Sequence, residues 1–230
     1  MAKRPIFITN EKSSNFIDVA DIDFKWYPGF DISQKQKSIN SLHNSFHEIF
    51  NDKKILEISS KSMNEVGIKL SAFNLYFTSK ITNDKVTVES AFQSSKVFEK
   101  GGPYLDLLYK SSREAKQDLR LKESGSLICF QFEDKKWSLE PKTIFYDWLY
   151  ISVLLKHKEL VNEITKFDAF SDIEFNPEKS INCQARSAAL FVSLYRQNLI
   201  DKQILDVDKY IELITNKNKG EPKQISLFDV

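Results

Sequence analysis

Between residues 86 and 104 the chain reads VTVESAFQSSKVFEKGGPY. On a helix turning by about 100° per residue, Gln93, Lys96 and Lys100 fall within roughly 40° of Glu89 and form one polar stripe. Val88, Ala91 and Phe92 make the apolar side next to it, and Ser90, Ser94 and Val97 line the other. Small residues on both flanks let other elements approach closely, which a surface helix does not need. The stripe is therefore expected to look into a cleft, where a carboxylate and an amine are chemically useful. The plain alternative is a solvated stripe with a Glu-to-Lys pair.

A second constellation lies in DIEFNPEKSINCQARSAALFVSLY, residues 172 to 195. Ala185, Ala188, Ala189 and Val192 give a small-residue helix. Asn182 and Arg186 stand one turn apart near its start, where backbone donors favour anions, and Asp172 lies on the loop before it. The alternative is a core helix whose Arg186 makes a structural salt bridge. ISSKS, residues 58 to 62, offers hydroxyls and a lysine at a strand end, a pattern suited to phosphate and common in ordinary loops. His43 and His47 have the spacing of metal ligands but no supporting context, and read as surface residues. The basic residues Lys110, Arg113, Lys116, Arg120 and Lys122 are interleaved with Glu114 and Asp118, as on a solvated helix. Neither a phosphate-binding loop, a dinucleotide-binding glycine fingerprint nor a nucleophile elbow occurs.

The elements that must position these groups alternate in type. Residues 33 to 50 place Ile39, Leu42, Phe46, Ile49 and Phe50 on one helical face, with Ser33 and Gln36 resembling a capping box. From 54 to 88 the period falls toward two, in KILEIS, LSAFNLYFTSKI and KVTV, with Asn83-Asp84 as a hairpin turn. Helix is expected again over 88 to 100, stopped by Gly101-Gly102-Pro103, and over 111 to 123. SLICFQF and KKWSL read as strands around Glu133-Asp134. Further helices are expected at 142 to 156, 158 to 166 and 180 to 197. The fold class is α+β. The expected organisation is an N-terminal extension over 1–50 packed on the domain, a main domain over 51–215, and a polar linker with a terminal peptide over 216–230.

Composition narrows the partners. The 230 residues carry 33 basic and 32 acidic side chains, so nucleic acid is expected to be met at a local site and not through bulk charge. Two cysteines without paired spacing fit a reducing cytosol. With no apolar leader and no stretch able to span a bilayer, the chain reads as a soluble cytoplasmic protein without a membrane partner.

The order LSAF, VESAFQSSK, SSREAK, then DIEFNP with INCQARSAAL resembles the NADAR family, also called YbiA-like. It looks most like the branch that serves as antitoxin beside DarT-type DNA ADP-ribosyltransferases. The likeness runs from about Glu57 to Tyr195, and FKWYPGFDISQKQKSI before it also looks typical of that branch. It implies a compact α+β domain with an ADP-ribose pocket, and removal of ADP-ribose from guanine bases in single-stranded DNA, with a cognate toxin as partner. By position, the family's glutamate and lysine fall on Glu89 and Lys96 and its late aspartate on Asp172, the implied catalytic groups. ADP-ribose would be held by Ser59, Ser60, Lys61, Ser71, Asn74, Gln93, Arg113, Asn182 and Arg186, with the helix start at Ser180 taking the diphosphate. Tyr104 and Trp148 are the candidates to stack on a base. No cofactor is implied, and the ligand inventory implies no metal. The broader family tends to have Asn where Ala72 stands, His where Ser90 stands and Trp-Gly where Phe175-Asn176 stand. These departures bear more on a riboflavin-type substrate than on glycosidic chemistry. Two rival readings are a non-catalytic module that binds ADP-ribose or the toxin, and an N-glycosidase acting on riboflavin-pathway intermediates. At the end of the chain, Gln224, Leu227 and Phe228 in QISLF resemble the short peptide by which bacterial repair proteins dock on the DNA sliding clamp. A terminal strand folded back on the domain is the alternative.

Overall fold

A computed structural model describes residues 1–200 and 206–217. Its centre is a four-stranded sheet in the order β2-β1-β9-β3. Strand β1 (Ala2–Thr9) pairs antiparallel with β2 (Ile17–Phe24), from Ala2 opposite Phe24 to Thr9 opposite Ile17. Its other edge meets β9 (Ala169–Ser171), and β9 pairs in parallel with β3 (Ile55–Glu57), setting Glu57 opposite Ser171. The unbroken apolar run PIFI is explained by this central place, because a strand buried on both faces needs no polar alternation. Ile6 and Ile8 face helix α1 (Ile32–Ile49) through its Ile39, Leu42 and Phe46. Phe7 faces the main core, which holds α6 (Ile144–Leu154) and α8 (Gln184–Arg196). The first fifty residues, expected as an appendage packed on the domain, thus supply two strands of its sheet.

The second half of the fold surrounds one short helix. A hairpin of β4 (Tyr76–Thr78) and β5 (Lys85–Thr87) turns through Asn83 at φ 56°, as the Asn-Asp pair predicts. Helix α3 (Val88–Ser94) follows at once, capped by Thr87, whose side chain accepts the Ser90 N–H. All seven of its residues are buried. The helix expected to reach residue 100 ends here. The Ser94 and Ser95 hydroxyls both bond the Ala91 carbonyl, at 2.9 and 2.6 Å, and compete with the helical ladder. The chain then enters β6 (Lys96–Phe98), which joins β7 (Leu127–Phe132) and β8 (Lys135–Trp137) in a three-stranded sheet with Lys96 opposite Phe130. Lys96 therefore stands on a strand, not two helical turns along from Glu89.

Other expectations shift in smaller ways. The 111–123 helix is broken at extended Asp118 into α4 (Ser112–Gln117) and α5 (Arg120–Glu123), because Arg120 and Lys110 both bind the Asp118 carboxylate. Of the alternating stretch around Leu70, residues 65 to 70 are a helix, α2 (Glu65–Leu70), capped by Asn64. Helix α1 starts after Asp31 without a side-chain cap, so Ser33 and Gln36 form no capping box. Helix α7 (Lys158–Ile164) lies as expected, α9 (Val207–Lys217) packs Tyr210 and Ile214 onto the main core, and α8 begins at Gln184 with Cys183 before it, four residues later than expected.

Close packing fixes β3 against α2. A Cβ on Gly67 would overlap the Glu57 carbonyl oxygen and lie 2.5 Å from Ser62 Oγ. Backbone cannot yield as a flexible side chain does, so Gly67→Ala is expected to lower stability by about 1–3 kcal/mol. A fall in the urea midpoint at unchanged slope would measure this.

Candidate functional site

A helix buried all round has no place for idle polar groups, and α3 carries two, Glu89 and Gln93, in contact with each other and with a lysine of α4. Gln93, one turn on from Glu89, donates from Nε2 to Glu89 Oε1 at 2.9 Å. Lys116 on α4 brings its ammonium to 3.6 Å from the same oxygen while lying over the Phe73 ring. The Glu89 side chain is only 7 % exposed. Gln93 Oε1 is buried without a partner, so the amide presents an unused acceptor beside the carboxylate. The alternative of a solvated stripe is thus excluded for Glu89 and Gln93.

Lys96 rejoins this group from β6. Its ammonium lies 4.9 Å from the centroid of the Phe92 ring, and Phe92 in turn meets Tyr146 of α6 edge to face at 4.9 Å. Burial pushes the Lys96 pKa down to about 8; the Glu89 charge opposes that shift and Lys116 adds to it. Tyr146 is held well above the ordinary phenol range by burial, with the Glu89 and Asp172 charges both contributing. The ring therefore stands in the fields of two carboxyl groups that are 83 residues apart in the chain.

Asp172 follows β9. One carboxyl oxygen accepts the Glu174 N–H at 3.0 Å and the other accepts from Gln184 Nε2 at 2.9 Å. Burial, then the neighbouring Glu57 charge, raises its pKa to about 8. Gln184, the first residue of α8, also donates to the Ile58 carbonyl at 2.6 Å and accepts the Ala72 N–H at 2.7 Å and the Ser71 hydroxyl at 3.3 Å. The Ala72 carbonyl receives the Glu89 N–H at 2.9 Å. A continuous run of hydrogen bonds thus joins Asp172 to the backbone that carries Glu89.

The other expected ligand contacts are distributed around this centre. Ser71 belongs to the Gln184 network. Ser59 is buried and takes the Lys61 N–H at 3.1 Å, whereas Ser60 is exposed. Exposed Asn74 donates to the Ile68 carbonyl at 2.9 Å, and Arg113 is exposed on α4. Tyr104 lies near the end of α3, where its N–H bonds the Ser94 carbonyl at 2.9 Å. Its hydroxyl meets Ser124 at 2.5 Å and its ring lies under the Arg120 guanidinium at 4.4 Å. Trp148 packs on Trp137 and Phe132 at the edge of the main core. Arg186 forms an ion pair with Asp147, whose other oxygen takes the Ser187 hydroxyl at 2.6 Å. That is the structural salt bridge set out above as the alternative. Ser180 does not open a helix; its hydroxyl donates to the Asn182 carbonyl at 3.1 Å in the loop before α8, and Asn182 Oδ1 is buried without a partner. His43 is half-buried, not a free surface residue: its Nε2 lies 2.8 Å from Ser171 Oγ, and burial brings its pKa down to about 4. Among the described residues no group of three or more His, Cys, Asp or Glu is arranged around a metal position. Gln224, Leu227 and Phe228 lie outside the described residues.

Sequence reading missed four contributors, Glu57, Lys116, Tyr146 and Gln184. Two of them sit inside motifs already singled out, Lys116 closing SSREAK and Gln184 opening QARSAAL. A family model described as the DarT1-associated NADAR antitoxin matches residues 2–224. No curated protein matches the chain.

The opposed influences on Lys96 make a test. Glu89→Gln removes a charge that holds the ammonium on, so the Lys96 midpoint should fall. Lys116→Met removes a like charge, so it should rise. NMR titration of labelled lysine side chains reads both, and a midpoint unmoved by either change would separate Lys96 from the Glu89 cluster.

Proposed function

The chain belongs to the DarT1-associated NADAR antitoxins, and from that premise we propose that it hydrolyses the bond between ADP-ribose and guanine in single-stranded DNA, reversing the toxin's modification. The reading is supported by the charge coupling of Lys96 to Glu89, by the hydrogen bonds that tie Asp172 through Gln184 and Ala72 to the backbone of Glu89, and by Tyr146, on which both carboxyl groups act. Breaking a bond from ribose C1 to a base nitrogen builds positive charge on the sugar, which a carboxylate can stabilise. In the proposed step the C1–N electron pair stays with the base nitrogen, which takes the Asp172 proton. Water adds its oxygen at C1 and passes a proton to the Glu89 carboxylate. Lys96, with a pKa near 8, supplies a ribose-hydroxyl contact, and its neutral fraction can hold the opened sugar as a Schiff base. The unpaired Gln93 Oε1 offers a second ribose contact.

The test is release of ADP-ribose from an oligonucleotide bearing ADP-ribosylguanine, followed by chromatography. The wild-type chain should strip the adduct, and Glu89→Gln, Lys96→Ala and Asp172→Asn should each slow it by roughly 10²-fold or more. An intact adduct with tight binding would favour a non-catalytic binder. Cleavage of riboflavin-pathway intermediates alone would favour the small-molecule glycosidase. Wild-type rates in all three variants would remove this cluster from the chemistry.

A further inference from the structure

The β3–β9 pairing buries a second carboxyl group beside Asp172. Glu57 is 2 % exposed and accepts two hydrogen bonds, from the Ser171 hydroxyl at 2.5 Å and from the Ile173 N–H at 2.8 Å. Asp172 stands between Ser171 and Ile173 in the chain, so the two residues on either side of it clasp Glu57. Gln184 Nε2 completes the link, bonding both the Ile58 carbonyl next to Glu57 and the Asp172 carboxyl. Two buried carboxylates this closely tied do not both ionise.

The donors decide which one keeps the charge. Two donors reach each, but the Ser171 hydroxyl at 2.5 Å and the Ile173 N–H at 2.8 Å hold Glu57 more closely than the Glu174 N–H at 3.0 Å and the Gln184 amide at 2.9 Å hold Asp172. Ser171 has one hydroxyl proton and gives it to Glu57, so its 2.8 Å contact with His43 is filled from the histidine side by an Nε2–H. The surrounding charges are few. From α1 come His43 and His47, with Lys35 spent on Glu174 at 3.1 Å. Cys183 of α8 and Tyr146 and Tyr150 of α6 are pushed upward and stay neutral, and Glu174 adds a negative charge that favours protonation of the pair.

We propose that Glu57 is a positioning residue: anchored as a carboxylate by Ser171, Ile173 and, through Ser171, His43, it keeps neighbouring Asp172 protonated at neutral pH, ready to donate a proton. The donation rests on the hydrolase reading; the ionisation states do not. Burial shifts both carboxyls upward, as expected for a pair that shares one charge.

The test is a pH titration of the whole protein with carbon-13-labelled Asp and Glu carboxyls. Asp172 should titrate above pH 7 in the wild type, and its midpoint should fall by about one unit or more in Glu57→Gln, where the like charge is gone. An Asp172 midpoint below 5, or one unmoved in the variant, overturns the proposal. Nitrogen-15 NMR of the unmutated protein should show His43 as the neutral Nε2–H tautomer; the Nδ1–H tautomer would break the proposed anchor even if Glu57→Gln failed to fold. Given turnover, the alkaline limb of the variant's pH–rate profile should move down by the same amount as the NMR midpoint. Absence of turnover in the wild type removes the hydrolase reading alone, since the NMR arms need no substrate.

Discussion

The side-chain amide of Gln184 is the constraint on which the site depends. Both N–H bonds and both oxygen lone pairs are used, on four partners from three separate stretches of chain: Ile58, Ser71 with Ala72, and Asp172. A buried amide can be this fully satisfied in one orientation only, since a flip would set donor against donor at Ala72 and acceptor against acceptor at Asp172. The same amide thus fixes the rotamer of Asp172 and the turn from which α3 departs. Low polarity around it makes each bond stronger and each loss more costly. The small residues of α8 serve this arrangement, since Ala185, Ala188 and Ala189 let the helix sit close enough for its first side chain to reach across.

Two groups of opposite type are drawn toward the same pH. Burial lowers the ammonium of Lys96 and raises the carboxyl of Asp172, and both arrive near 8. Desolvation favours the neutral form in each case, so one physical cause yields an amine able to lose its proton and an acid able to keep one. Neighbouring charges then set the balance: Glu89 and Lys116 pull Lys96 in opposite directions, whereas Glu57 and Glu174 both push Asp172 upward.

Local pattern made some of this legible and left the rest hidden. The α1 face, the Asn83 turn and the start of α3 follow from periodicity and turn chemistry within a few residues. The placement of Lys96 shows the limit. Helical spacing puts it on the Glu89 stripe, and it does meet the Glu89 field, yet it arrives there on a strand after two serines have ended the helix. A polar stripe survives a change of secondary structure when the strand that follows keeps its side chain against the helix, as Lys96 does over Phe92. The Glu57 clasp and the Gln184 network were beyond reach because their partners lie 114 and 126 residues apart. No periodicity encodes such a meeting. Arg186 was read for its charge and helix position, whereas its partner Asp147 sits within an otherwise apolar helix that advertises no ion pair.

Strand β1 carries one more consequence, for the order in which the chain can be made. It pairs at once with β2, but its other edge waits for β9, whose residues leave the ribosome roughly 160 positions later. At about 5–20 residues per second that is on the order of ten to thirty seconds. Throughout that interval an apolar strand has one row of backbone groups unpaired, open to trigger factors, chaperones or another nascent chain. Because Asp172 directly follows β9, the same late strand that closes the sheet also brings in the carboxyl that Gln184 holds. Synthesis cut short before residue 169 leaves a chain with an open edge and without Asp172, so closure of the sheet and completion of the buried carboxyl pair depend on a single pairing.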